Sequence, residues 1–171
     1  MSRAASTGLA LALALAVFLA DQGSKRLIEA SMRLGESLPA VPNILSLTYT
    51  QNNGGAFGIL GGQSGVLVLG SAVAVGFVLW MLLKGPPERA ATVGCGLILG
   101  GAAGNLFDRL GAGVVTDFLD LDFWPLRQWP VFNAADVAIV LGVAVLFLAA
   151  LHPEGTQRSA AGDREKSRAG G

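Results

Sequence analysis

Four apolar stretches alternate with polar segments along the chain, from about Ala4 to Ala20, Gly65 to Leu83, Ala90 to Phe107 and Ala134 to Leu151. About 20 apolar residues, rising ~1.5 Å each as helix, cross roughly 30 Å of hydrocarbon, so each stretch predicts a membrane span. The first also has signal-peptide character, with Arg3 ahead of GLALALALAVFLA. Cleavage after Ala20 would leave bulky Phe18 where a small residue is wanted, so a retained helix is expected. The segments between spans carry a different period. In ILSLTYTQ, Leu45, Leu47 and Tyr49 alternate with Ser46, Thr48 and Thr50, which is strand periodicity, and NNGG follows as a turn. VVTDFLDLDFW is strand-like as well, and Trp124 and Trp129 suit a membrane–water interface. The pattern predicts an all-α polytopic membrane protein, four transmembrane helices with a small extracytoplasmic β element. One membrane domain spans 1–152, and a polar, disordered cytoplasmic tail spans 153–171.

Composition sharpens this. Of 171 residues, 52% are hydrophobic and 14% charged, where soluble domains hold about a quarter charged residues. Twelve basic residues balance twelve acidic ones, which gives no reason to expect a nucleic-acid partner. A single cysteine, Cys95, and a single histidine, His152, exclude an internal disulfide and argue against a zinc site. Arg3, Lys84, Arg89, Arg158, Arg164, Lys166 and Arg168 fall on one side of four spans. This predicts that both termini are cytoplasmic, with KGPPER as a tight cytoplasmic turn.

With that topology, polar residues converge at the outer side. The first helix would end at Asp21, and the third at Asn105, Asp108 and Arg109. The fourth would begin at Asn133 and Asp136, with Asp117 in the outer loop between. Ionisable groups near hydrocarbon are costly and mark candidate sites. Each has a plainer reading. Asp21 and Lys25 fit an i,i+4 ion pair. Asn133 and Asp136 have the spacing of a helix N-cap with an acidic third residue. Gly96, Gly100 and Gly104 suit close helix packing. Asn52 and Gly54 fit a turn, and Cys95 an inert core position. His152 lies a membrane thickness from the carboxylates, so histidine-based nucleophile chemistry is excluded. What remains is a carboxylate pair that shares a proton, one member taking a proton from water and the other donating one. Asp136, at the helix start, is expected to carry the charge and Asp117 the proton. A proton-coupled carrier would need polar groups through the bilayer, where Ser71 and Thr92 are the main exceptions to apolar spans. An assembly factor without chemistry would leave the convergence unexplained.

These residues resemble the lipoprotein signal peptidase family (signal peptidase II, aspartic peptidase family A8). DQGSK is similar to its Asp-x-x-Ser/Thr-Lys, and QNNGGAFG to its Asn-x-Gly-x-Ala-Phe, at Asn52 and Gly54. GGAAGNLFDRL resembles Gly-Gly-x-x-Gly-Asn-x-x-Asp-Arg, covering Gly101, Asn105, Asp108 and Arg109. VVTDF resembles its Val-Val-Asp-Phe region at Asp117, and FNAAD its Phe-Asn-x-Ala-Asp, covering Asn133, Ala135 and Asp136. Gly23 and Thr116 depart from the usual apolar residue and valine. The resemblance implies a bacterial inner-membrane endopeptidase, active near the outer face. It would cut diacylglyceryl-modified prolipoprotein just before the lipidated cysteine. Asp117 and Asp136 would be catalytic. Asp21, Lys25, Asn52, Gly54, Gly101, Asn105, Asp108, Arg109, Asn133 and Ala135 would bind substrate or support the site. The resemblance also implies contact with membrane lipid, sensitivity to globomycin-type cyclic peptides, and no metal or organic cofactor.

Overall fold

The computed structural model describes residues 2–53, 64–84 and 88–151. Gly54, the turn expected at 85–87, His152 and the tail lie outside the described residues. Four helices are long and apolar enough to cross a membrane: α1 (Arg3–Ser31), α2 (Ser64–Lys84), α3 (Arg89–Gly111) and α4 (Ala134–Leu151). Between α1 and α2 lie β1 (Ser37–Val41) and β2 (Leu45–Asn52). Between α3 and α4 lie β3 (Val115–Leu121) and a 3-10 turn at Leu126–Gln128.

The expected end of the first helix is corrected. α1 has 29 residues, about 44 Å of helix, and runs past Asp21 to Ser31. Asp21 and Lys25 look like a helix end because they are charged. Both are buried against other elements instead, so the helix keeps its hydrogen bonds and continues beyond the hydrocarbon.

α3 is the central helix: 61% of its most apolar window is buried, against 6% for α2, which faces lipid over most of its surface. Glycine makes this possible. A Cβ on Gly96 would stand 2.9 Å from the Ala10 carbonyl of α1, and one on Gly100 2.6 Å from that of Ala14. A Cβ on Gly94 would meet Leu146 and the Gly142 carbonyl of α4. The two faces of α3 thus receive two neighbours at backbone distance, and the packing expected for Gly96, Gly100 and Gly104 is observed. Ala14, Val78, Cys95, Ile98 and Leu99 form the core on the α2 side, with Cys95 among apolar neighbours. We expect Gly100→Ala to cost about 1–3 kcal/mol, because the added Cβ would meet the Ala14 carbonyl and the Cβ of Val17 on α1, which cannot swing aside. Gly76→Ala on α2, where a Cβ meets nothing within 4 Å, should be neutral or slightly stabilising. Thermal unfolding in one detergent compares them, and equal midpoints would contradict the close-packed seam.

The sheet is antiparallel in the order β1-β2-β3. Its register pairs Leu45 with Leu121, Thr50 with Asp117 and Asn52 with Val115, with an irregularity between Leu47 and Thr50. This irregularity breaks the expected alternation, so Ser46 and Tyr49 are the buried residues of β2. Ile28 of α1 and Met32, just past its end, pack with Tyr49 and Phe118, joining the far end of α1 to the sheet. Gly113, with φ +75°, lets the chain leave α3 and turn into β3. Phe132 pairs with Leu119 in a single bridge, so the segment preceding α4 is tied to β3.

Candidate active site

These connections bring β2, β3, α3 and the start of α4 to one point. Asn133, fully buried, caps α4: its side-chain oxygen accepts the Asp136 N–H at 3.0 Å, and the Asp136 carboxylate accepts the Asn133 N–H at 3.2 Å. This reciprocal capping box fixes Asp136 at the helix start. The Asn133 amide also donates to Asp117 Oδ1 at 2.6 Å. Asp117 Oδ2 accepts from Asn52 of β2 at 3.0 Å. Asn105 of α3 donates to Asp136 Oδ1 at 2.8 Å while its oxygen accepts from Asn133 at 3.1 Å and Lys25 at 3.1 Å. Cap and candidate dyad are therefore one object, and the two readings of Asp136 do not compete.

Both carboxylates line one cavity of about 590 Å³. Asn52, Asn105 and Arg109 stand at its polar end, and Leu126, Trp129, Val137, Val140 and Leu141 supply apolar walls. Burial drives the Asp117 carboxyl up to about 6. The neighbouring Asp136 charge adds to the rise, and the Asn52 and Asn133 amides partly oppose it. Arg109 lies within electrostatic reach of both aspartates, but its Nη1 donates to Ser71 Oγ at 3.3 Å and the Asn105 carbonyl at 3.4 Å. Its Nε is buried without a hydrogen-bond partner among the described residues, so the guanidinium keeps donor capacity.

Behind the pair lies a charged cluster. Lys25 Nζ is 2.8 Å from Asp21 and 2.6 Å from Asp108. Asp21 Oδ1 accepts the Ala135 N–H at 2.9 Å, so α1 holds the first turn of α4. The i,i+4 pair expected of Asp21 and Lys25 is present, and Asp108 sits here rather than beside the dyad. Gly101 and Gly104 work by absence: a Cβ on the first would strike the Ala135 carbonyl, and one on the second would stand 2.5 Å from Asp21 Oδ2. Gln22 was missed. Its amide donates to Asp108 at 2.8 Å and Asp21 at 3.3 Å. The signal was its place between Asp21 and Lys25, in a run that was read as a helix end. The apolar cavity wall was missed as well, since in sequence it cannot be told from lipid-facing residues.

Fold and site together define a four-span membrane protein with a pair of carboxylates in one cavity beside its helices. A family model described as signal peptidase (SPase) II matches residues 13–152. The lipoprotein signal peptidase of Moorella thermoacetica is 45% identical over 149 residues, 86% of this chain and 95% of that protein. That of Halothermothrix orenii is 42% identical over 134 residues, covering 78% and 89%. A solved bacterial membrane enzyme superposes with a TM-score of 0.79 at 29% identity, covering 86% of this chain and 90% of that one. A second gives 0.77 at 30% identity, covering 85% and 94%. The chain belongs to the signal peptidase II family.

Proposed function

We propose that Asp117 and Asp136 are the catalytic dyad with which this protein releases signal peptides from lipoprotein precursors. The activity follows from the family to which it belongs. The observation that carries the residue assignment is the single amide network that binds both carboxylates at the polar end of one apolar cavity. Asp136 takes a proton from water, and the water oxygen attacks the scissile carbonyl carbon. Asp117 donates its proton to the leaving nitrogen as the C–N bond breaks, leaving a new carboxyl on the signal peptide and a free amine on the mature chain. Asn105 and Asn133 hold the two carboxyls. Asn52, Gly54 and Arg109 offer polar groups to the substrate backbone. The apolar wall fits the diacylglyceryl group and the signal-peptide helix, and the same cavity would take globomycin-type cyclic peptides.

The centre is read as facing the outer side, with both termini cytoplasmic. The Arg3 guanidinium bonds the Leu83 carbonyl, so Arg3, Lys84 and Arg89 cluster at one end of the bundle. Asp21 is about 27 Å of helix away from Arg3, a hydrocarbon thickness. Basic residues favour the cytoplasmic side. Purified protein should cleave a diacylglyceryl-modified precursor and leave the unlipidated form at least tenfold less processed. Equal cleavage of both would sink the lipid assignment. A reporter inserted at Gly35 should read as external, and a cytoplasmic reading there would reverse the orientation.

A further inference from the structure

We propose that Glu29 is a positioning residue which, through Thr116, fixes the strand that carries Asp117. The proposal rests on the reading of Asp117 as catalytic.

Side chains alternate along β3. Val115, Asp117 and Leu121 line the large cavity, whereas Phe118 packs with Ile28 of α1 and with Met32 just past it, and Thr116 reaches Glu29 of α1. On α1, Lys25, Ile28 and Glu29 are spaced to share one face with Asp21, which continues the Asp21 anchor along the helix. Thr116 is 5% exposed, and its hydroxyl donates to Glu29 Oε1 at 2.6 Å. This bond is short and charge-assisted.

Strand pairing with β2 reaches Asp117 and is interrupted just beyond it. The β2–β3 ladder is irregular between Leu47 and Thr50, immediately beyond the Thr50–Asp117 pair. There the Tyr49 N–H turns to the Glu36 carbonyl instead. Asn52 and Asn133 orient the Asp117 carboxylate, but neither holds its backbone. Thr116, the adjacent residue, is tied to a helix whose base is locked through Asp21 and Lys25. A separate pocket of about 190 Å³ lies behind β3, with Gln22, Lys25, Arg26, Glu29, Asp108 and Thr116 in its lining beside Phe107 and Val114. Glu29 is exposed, and one of its carboxylate oxygens accepts from Thr116 at the back of the strand.

The experiment measures kcat and KM for a lipid-modified precursor in nanodiscs, using Thr116→Val, Glu29→Ala and their double variant. Thr116→Ser and Glu29→Gln, which keep a donor and an acceptor, serve as conservative counterparts. Each disruptive variant should lower kcat about tenfold with KM within twofold of wild type. The double variant should be no slower than either alone, because both remove one bond. The conservative pair should retain at least half of the wild-type kcat. Wild-type kcat in Thr116→Val, a hundredfold loss in the double variant, or a change confined to KM would each overturn the proposal. Should Thr116→Val fail to fold, Glu29→Ala against Glu29→Gln decides, since Glu29 is exposed and lies outside the strand. Asp117→Asn is assayed beside them. If it remained active, the dyad reading itself would fall. If it were inactive while Thr116→Val stayed at wild-type rate, only the role of Glu29 would fall.

Discussion

Asp117→Asn and Asp136→Asn are each expected to reduce processing by about 10²–10⁴-fold, the range that a positioned acid or base contributes. Each amide is nearly isosteric with the carboxylate it replaces. The chain should insert and fold, so lost activity would report on proton transfer. The double variant should be little worse than either single one, because two groups that share one proton act as a unit. A pH dependence accompanies this. Asp117, raised to about 6 by burial and then by the Asp136 charge, must hold a proton to act as the acid. It holds that proton below its pKa and loses it as pH rises through it, so kcat/KM of the wild type should decline above about pH 6. The profile reports the pair and assigns no value to one residue. Near-normal cleavage by either single variant, or kcat/KM flat from pH 5 to 8, would refute the assigned chemistry.

Much of this site was legible because charge is so costly near lipid. Asn105, Asp117, Asn133 and Asp136 fall at one depth once four spans are drawn, and no other depth gathers comparable groups. The Asn133–Asp136 spacing also announced its cap, and the four-residue glycine spacing on α3 announced a close neighbour. The sequence could not say which neighbour. Gly96, Gly100 and Gly104 meet α1, and Gly94 and Gly101 meet α4, a choice made by three-dimensional crossing that leaves no local signal. The outer length of α1 was hidden for another reason. Asp21, Gln22 and Lys25 end the hydrophobic pattern, yet they are buried by pairing with Asp108 and Ala135, more than eighty residues away. β1 was hidden too: all five of its residues are exposed and one is Pro39, so no face shows an apolar alternation. The Thr116–Glu29 bond joins two residues that each look like ordinary surface chemistry and become a pair only when β3 lies along α1.

Lys25→Met is expected to destabilise the protein by about 3–5 kcal/mol, the usual cost of breaking a buried ion pair from one side. Lys25 is 2% exposed, with its ammonium between Asp21 and Asp108, and it donates as well to Asn105. Methionine fills most of the same volume, so the effect would come from charge rather than from a cavity. It would leave two carboxylates facing each other with only the Gln22 amide between them. The unfolding midpoint should fall by on the order of 10 °C, at a few degrees per kcal/mol for a chain of this size. Activity should fall with it even below that temperature. Asp21 holds the Ala135 N–H and Asn105 holds Asp136, so a shift in either moves the start of α4. Lys25→Met combined with Asp108→Asn removes one of the opposed charges and should recover part of the lost stability. An isolated surface pair would behave differently, since such pairs contribute at most about 1 kcal/mol. A midpoint for Lys25→Met within 2 °C of wild type, in the same detergent and buffer, would mean that the cluster is hydrated and does not brace the active site.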